Sequence, residues 1–290
     1  MADREKLARR LQKLYWGVAK LGLGGYHLAR AGRERTVDTR RGPVRVLEYG
    51  FEDVETKPLF VDLHGGGFVL GSADMDEAMC LAFGSTGAKV ISIDYPKAPD
   101  HPYPAAVEAV RDVISWYQAR GAELGLDTAR MAIIGHSAGG NLATVTCIND
   151  LKVGKFNFRC QILDYPALDV STEPGEKPQP KGALPVWMCR MFNDCYAPGE
   201  LAEELGASPA LAAPEDVAGL PPALIILCGR DSLHDEGARY AAALEAAGAA
   251  VTVREYPGQA HGFTYNRSAS ESRRAVGEMA AFLKEYCMDR

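Results

Sequence analysis

MAIIGHSAGGNLATVTCI, residues 131–148, decides how this chain is read. Its opening is a dense apolar run of the kind a strand buried on both faces carries, and its close is helical in composition. Between them Gly135-His136-Ser137-Ala138-Gly139 fits G-x-S-x-G. A serine on a sharp strand-to-helix turn needs small neighbours, because its backbone is strained and must clear the adjacent chain. The helix that follows aims its first N–H groups at developing negative charge. The pattern also arises by chance, with the serine a plain turn residue. The strand before it and the helix after it favour Ser137 as a nucleophile.

The same strand–helix alternation extends in both directions. Short strand-like segments, TVDTR, VRVLEYG and PLFVDLH, lie between residues 36 and 64, separated by Gly or Pro turn signals. KVISIDY (89–95), RCQILDY (159–165), PALIILCG (222–229) and VTVREY (251–256) complete the set, with helical stretches between nearly all of them. This predicts an α/β fold whose mainly parallel sheet of eight strands, opened by an antiparallel start, is flanked by helices in a single domain over 1–290. Residues 171–207, Pro- and Gly-rich and then helical, fall where a crossover helix belongs and predict a helical cap over the sheet's edge. In the first 33 residues Leu7, Leu11, Leu14, Val18 and Leu21 form a helical stripe. Packing of that stripe onto the body is expected in preference to lying on an acidic membrane, which makes 1–33 a second part of the cap.

A serine nucleophile needs a base, and in a strand–elbow–helix setting the acid and the base follow it in the chain. His234 and His261 are the histidines after Ser137. His261, in GQAHGF between the last strand and the last helix, can reach over the sheet's carboxyl edge; His234 sits three residues beyond the acid and reads as a surface or helix-start residue. Asp231 ends the strand PALIILCG and would hold the imidazole's tautomer, with Asp235 as competitor or helix cap. His64-Gly65-Gly66-Gly67 ends the strand PLFVDLH. Its bare backbone could approach a substrate carbonyl as an oxyanion hole, or simply be a flexible loop.

Bulk properties narrow the field further. A net charge of −6 disfavours nucleic acid as a partner. Seven cysteines, odd in number and mostly inside apolar runs, fit reduced thiols and a cytoplasmic location. Basic residues break up the N-terminus, so neither a signal peptide nor stable membrane insertion is expected. No H-E-x-x-H, paired cysteines or P-loop is present, and no metal or cofactor is expected.

HGGGF (64–68), DYPKAPDHPYPAAVEA (94–109), GHSAGG (135–140), SPALA (208–212), GRDSLHDEG (229–237) and AHGF (260–263) occur in the order seen in the hormone-sensitive lipase family of α/β-hydrolases, which this chain resembles from about residue 58 to 265. The resemblance implies that the N–H groups of Gly66, Gly67 and Ala138 form the oxyanion hole, that His64 braces the glycine loop, and that 1–33 with 171–207 form the cap. The family commonly carries Asp before the serine, whereas this chain has His136. The implied activity is a serine carboxylesterase acting on small-molecule, short-chain acyl esters through Ser137, Asp231 and His261. Amide, formamide or peptide hydrolysis by the same residues is the alternative, followed by a non-catalytic ligand-binding protein. Trp187, Met188, Met191, Phe192 and Tyr196 line a pocket or pack the cap, and an exposed edge strand or C-terminal helix leaves a homodimer open.

Overall fold

The sequence alternates short apolar runs with amphipathic segments, and each apolar run becomes a strand of one sheet. In the computed structural model, which describes residues 2–20 and 28–288, these are β1 (Arg33–Thr39), β2 (Gly42–Tyr49), β3 (Lys57–Leu63), β4 (Lys89–Asp94), β5 (Leu126–His136), β6 (Phe158–Asp164), β7 (Ala223–Arg230) and β8 (Val251–Ala260). The helices are α1 (Ala2–Lys20), α2 (Glu77–Gly84), α3 (Ala105–Ala119), α4 (Gly121–Leu124), α5 (Ala138–Leu151), α6 (Val186–Tyr196), α7 (Pro214–Val217), α8 (His234–Ala246) and α9 (Ser270–Cys287). The sheet runs β1-β2-β4-β3-β5-β6-β7-β8. The pairs β1–β2 and β2–β4 are antiparallel, and every later pair is parallel. β8 runs past its apolar part through Pro257, which an edge strand tolerates.

Alternate strand residues feed two cores, as the two-residue side-chain period requires. Val61, Ile91, Ile133, Leu163 and Ile225 pack with α3, α5 and α8 on one face. Phe60, Val90, Ile134, Ile162 and Ile226 pack with α2 and α9 on the other. All but two of the 14 residues of α5 are buried.

The N-terminal helix docks on a face that takes in only part of its leucine stripe, with Leu11 packing beside Ala8 against α6. Leu7 and Leu14 are 37% and 62% exposed, whereas Ala8 and Ala19 are buried; Leu21 lies outside the described residues. Small Ala8 lets the helix approach Met191, Phe192 and Cys195 of α6 closely. Gln12 then donates to the carbonyls of Val69 (3.0 Å) and Ala98 (2.9 Å). Ion pairs Arg4–Asp194 and Arg9–Asp100 flank the contact. The two bonds from Gln12 to backbone carbonyls pin the helix with Leu11 inward and leave Leu7 and Leu14 towards solvent.

Candidate active site

Ser137 joins β5 to α5 with φ 54° and ψ −114°, a conformation that costs an L-residue energy and is held by its surroundings. Its N–H donates to Asp164 O (2.9 Å), and its carbonyl accepts from Ala167 N (3.0 Å). The flanking glycines are steric necessities. A Cβ on Gly139 would lie 1.9 Å from Leu63 O, and one on Gly135 would lie 2.1 Å from Gly139 O. The elbow thus presses directly against β3, which leads into the glycine loop.

His261 follows β8 at the sheet's carboxyl edge and meets Ser137 across the gap. Its Nε2 lies 2.9 Å from Ser137 Oγ, and its Nδ1 lies 2.6 Å from Asp231 Oδ2. An ionised carboxylate only accepts, so Nδ1 carries the proton and Nε2 is free to take one from the serine. Asp231 is held in turn by Leu233 N–H, 3.1 Å from its Oδ1. Burial pulls the His261 pKa down, but the Asp231 charge and hydrogen bond overcome this, and the net shift is upward from 6.5. The competitors lie elsewhere: His234 bridges Asp235 (2.9 Å) and Glu255 (3.2 Å) at the exposed start of α8.

The glycine loop lies beside the serine. Gly66 and Gly67 have φ of 123° and 60°, and a Cβ on Gly67 would fall 2.2 Å from the Phe192 ring. Only glycine satisfies both the backbone and the space there. Ala138 is the first residue of α5, where N–H groups lack intrahelical acceptors. His64 is fully buried, with its ring stacked on Tyr95 at 4.2 Å and Nδ1 2.7 Å from Gly65 O. Burial lowers its pKa, so it is a neutral donor to that carbonyl.

A cavity of about 230 Å³ opens onto Ser137 and His261, walled by Gly65–Phe68, Met75, Leu184, Met188 and Phe192. The aromatic and methionine group of α6 therefore divides. Met188 and Phe192 face the cavity, Met191 packs against α1, Tyr196 stacks on Phe68 at 3.6 Å, and Trp187 is half exposed. Tyr15 of α1 and Cys189 also line the cavity, which nothing in their local sequence signals.

Sequence reasoning also missed the polar layer behind the serine. Asp62, Asp76 and His136 converge there, fully buried, with potential ligand atoms all within 4.8 Å of one another, and they are the one such three-residue group among the described residues. Asp62 and His136 lie on β3 and β5 and Asp76 on the turn before α2, and none of them lines the cavity. The aspartates sit within or beside apolar runs and read as strand-end or loop polarity, so no local pattern marks them.

Residues 60–265 match a family model described as alpha/beta hydrolase fold. The chain is similar to the esterase LipI of Mycobacterium tuberculosis, 35% identical over 78% of this chain and 73% of that protein. The carboxylesterase NlhH of the same species is 36% identical over 71% of this chain and 66% of its own length. Among solved structures, an esterase of Pyrobaculum calidifontis superposes with a TM-score of 0.82 at 33% identity, covering 97% of this chain and 91% of that one.

Proposed function

Since the chain belongs to the alpha/beta hydrolase fold family, in its hormone-sensitive-lipase-like branch, we propose that it is a serine carboxylesterase that hydrolyses short-chain acyl esters through Ser137, Asp231 and His261. The observation that carries this reading is the hydrogen-bonded line from Ser137 Oγ through His261 to Asp231, lying beside the glycine loop.

In the first half-reaction Ser137 Oγ attacks the ester carbonyl while its proton passes to His261 Nε2. Asp231 stabilises the imidazolium without itself taking the proton. The carbonyl oxygen, now negative, is held by the N–H groups of Gly66, Gly67 and Ala138, whose preorganised donors cost no rearrangement. His261 then returns the proton to the departing alkoxide, leaving an acyl-enzyme. Water enters by the same route in reverse: His261 takes its proton, the oxygen attacks the acyl carbon, and Ser137 leaves re-protonated. The small cavity walled by Met188 and Phe192 supports short acyl groups as substrates, as a long chain would have to displace the walls.

α1 and residues 171–207 serve as the cap in this reading, since Tyr15 from the first and Leu184, Met188 and Phe192 from the second line the cavity. No helix among the described residues is long and apolar enough to cross a membrane. The seven free thiols support a reducing, cytoplasmic setting. A homodimer would have the outer edge of β8 available for pairing, and sedimentation velocity tests it.

Initial rates on p-nitrophenyl esters from acetate to palmitate, with a formamide and a peptide anilide alongside, test the reading. The expected result is turnover greatest at short chains, reduced more than about 10⁴-fold in Ser137→Ala. Ser137-dependent cleavage of the amides alone would make the protein an amidase. Equal rates in the two proteins would remove Ser137 from the reaction.

A further inference from the structure

His136 ends β5 immediately before Ser137 and is fully buried. Both of its ring nitrogens face carboxylates. Nδ1 lies 2.8 Å from Asp164 Oδ2 on β6, and Nε2 lies 3.3 Å from Asp62 Oδ1 on β3. A neutral imidazole has one N–H, and an ionised carboxylate has none to give. With both carboxylates ionised, the two acceptors are satisfied together only by the doubly protonated ring.

The carboxylates also bond beyond His136. The Asp164 side chain also accepts from Thr264 Oγ1 (2.8 Å), three residues beyond His261, and its backbone carbonyl holds Ser137 N–H. Asp62 accepts from Ser92 Oγ (2.8 Å) and stands two residues before His64, where the glycine loop begins. Tyr265, with its ring 6.0 Å from that of His136, accepts Gly65 N–H at its hydroxyl (3.3 Å). Asp76, from the turn before α2, brings a third carboxylate whose oxygens have no hydrogen-bond partner.

We propose that His136 is a permanently charged positioning residue: a buried imidazolium that ties the ends of β3, β5 and β6, and through Thr264 and Tyr265 the segment after His261, into the geometry that serine attack requires. The proposal rests on the esterase reading for its kinetic consequence and on the structure alone for its charge. Three carboxylates sharing one dry layer could not all ionise unneutralised. Burial and then the charge of Asp62 push Asp76 well up, towards the neutral acid. Burial works first against the His136 cation, but its hydrogen bonds to Asp164 and Asp62 outweigh it, and the shift is upward. Other titratable neighbours of this layer, Cys80 on α2, Tyr49 on β2, Tyr95, Tyr165 and Tyr265, are held neutral by burial.

Nitrogen NMR of the histidine rings of the full chain decides the charge. Both His136 nitrogens should show the protonated signature from pH 6 to 8, assigned by their disappearance in His136→Gln. Asp62→Asn supplies the assignment if that variant does not fold, because removing one acceptor shifts the same pair of signals. A neutral His136 tautomer at pH 7 overturns the proposal. On p-nitrophenyl acetate, His136→Gln should lower kcat about 10²-fold with KM within about twofold, the pattern of misplaced rather than missing reactive groups. A folded His136→Gln with wild-type kcat overturns the positioning role. Absence of Ser137-dependent turnover in the wild type instead removes the esterase reading, and the NMR result still judges the charge.

Discussion

At the scale of single residues, His261 controls how the reaction responds to pH. It must be neutral to accept the serine proton, and its net pKa shift is upward from 6.5. The acid limb of the kcat/KM profile should accordingly have its midpoint above 6.5, the usual value for the ring. In Asp231→Asn that limb should move to lower pH, and the rate should fall about 10⁴-fold as the imidazole loses its orienting acceptor. A pH–rate series on both proteins checks each part. The shift also bears on stability. A histidine pKa raised on folding contributes stability fully present below the unfolded value and lost as pH rises through the folded one. His261 therefore helps the fold most in acid, where it is least useful as a base.

At the scale of elements, the segment carrying α6 is fastened to α8 by a buried ion pair. Glu236 Oε2 lies 2.6 Å from Lys177 Nζ, and its Oε1 accepts the N–H groups of Leu168 (2.7 Å) and Asp169 (3.1 Å). Burial first, opposed by Lys177, pushes the Glu236 pKa up to about 7. An acid so raised makes the fold progressively less stable as pH climbs from 4.5 to about 7. Lys177→Met leaves that carboxylate buried without its cation. It should cost about 3 kcal/mol at pH 8 and extend the pH-dependent loss to higher pH. Lys177→Met with Glu236→Gln should recover most of the loss, since the amide needs no counter-charge. Urea unfolding of the three proteins at pH 6 and 8 measures this. The dependence arises because Lys177 and Glu236 are 59 residues apart and meet only when the insertion folds back.

For the whole molecule, close packing around one sheet sets which groups reagents can reach. Six of the seven cysteines are buried, and Cys189, at the cavity, is the partly exposed one. A thiol-reactive disulfide reagent should modify Cys189 alone in the native protein, and slowly, because burial raises its pKa. All seven thiols should react after unfolding, and reductant should leave the unfolding midpoint unchanged. The strand count, the parallel majority, the serine turn and the places in the chain of the candidate residues Ser137, Asp231 and His261 were legible in the sequence alone, because each is written in a contiguous stretch: an apolar run, a glycine pair or a residue at a strand's end. Tertiary structure alone decided which face of α1 is buried, which side chains of α6 wall the cavity, and that Asp62, Asp76 and Asp164 surround His136. Those outcomes depend on β3, β5 and β6 becoming neighbours and on the cap folding back over them. A local pattern records how a segment buries its own surface, and not which distant charge will be waiting there.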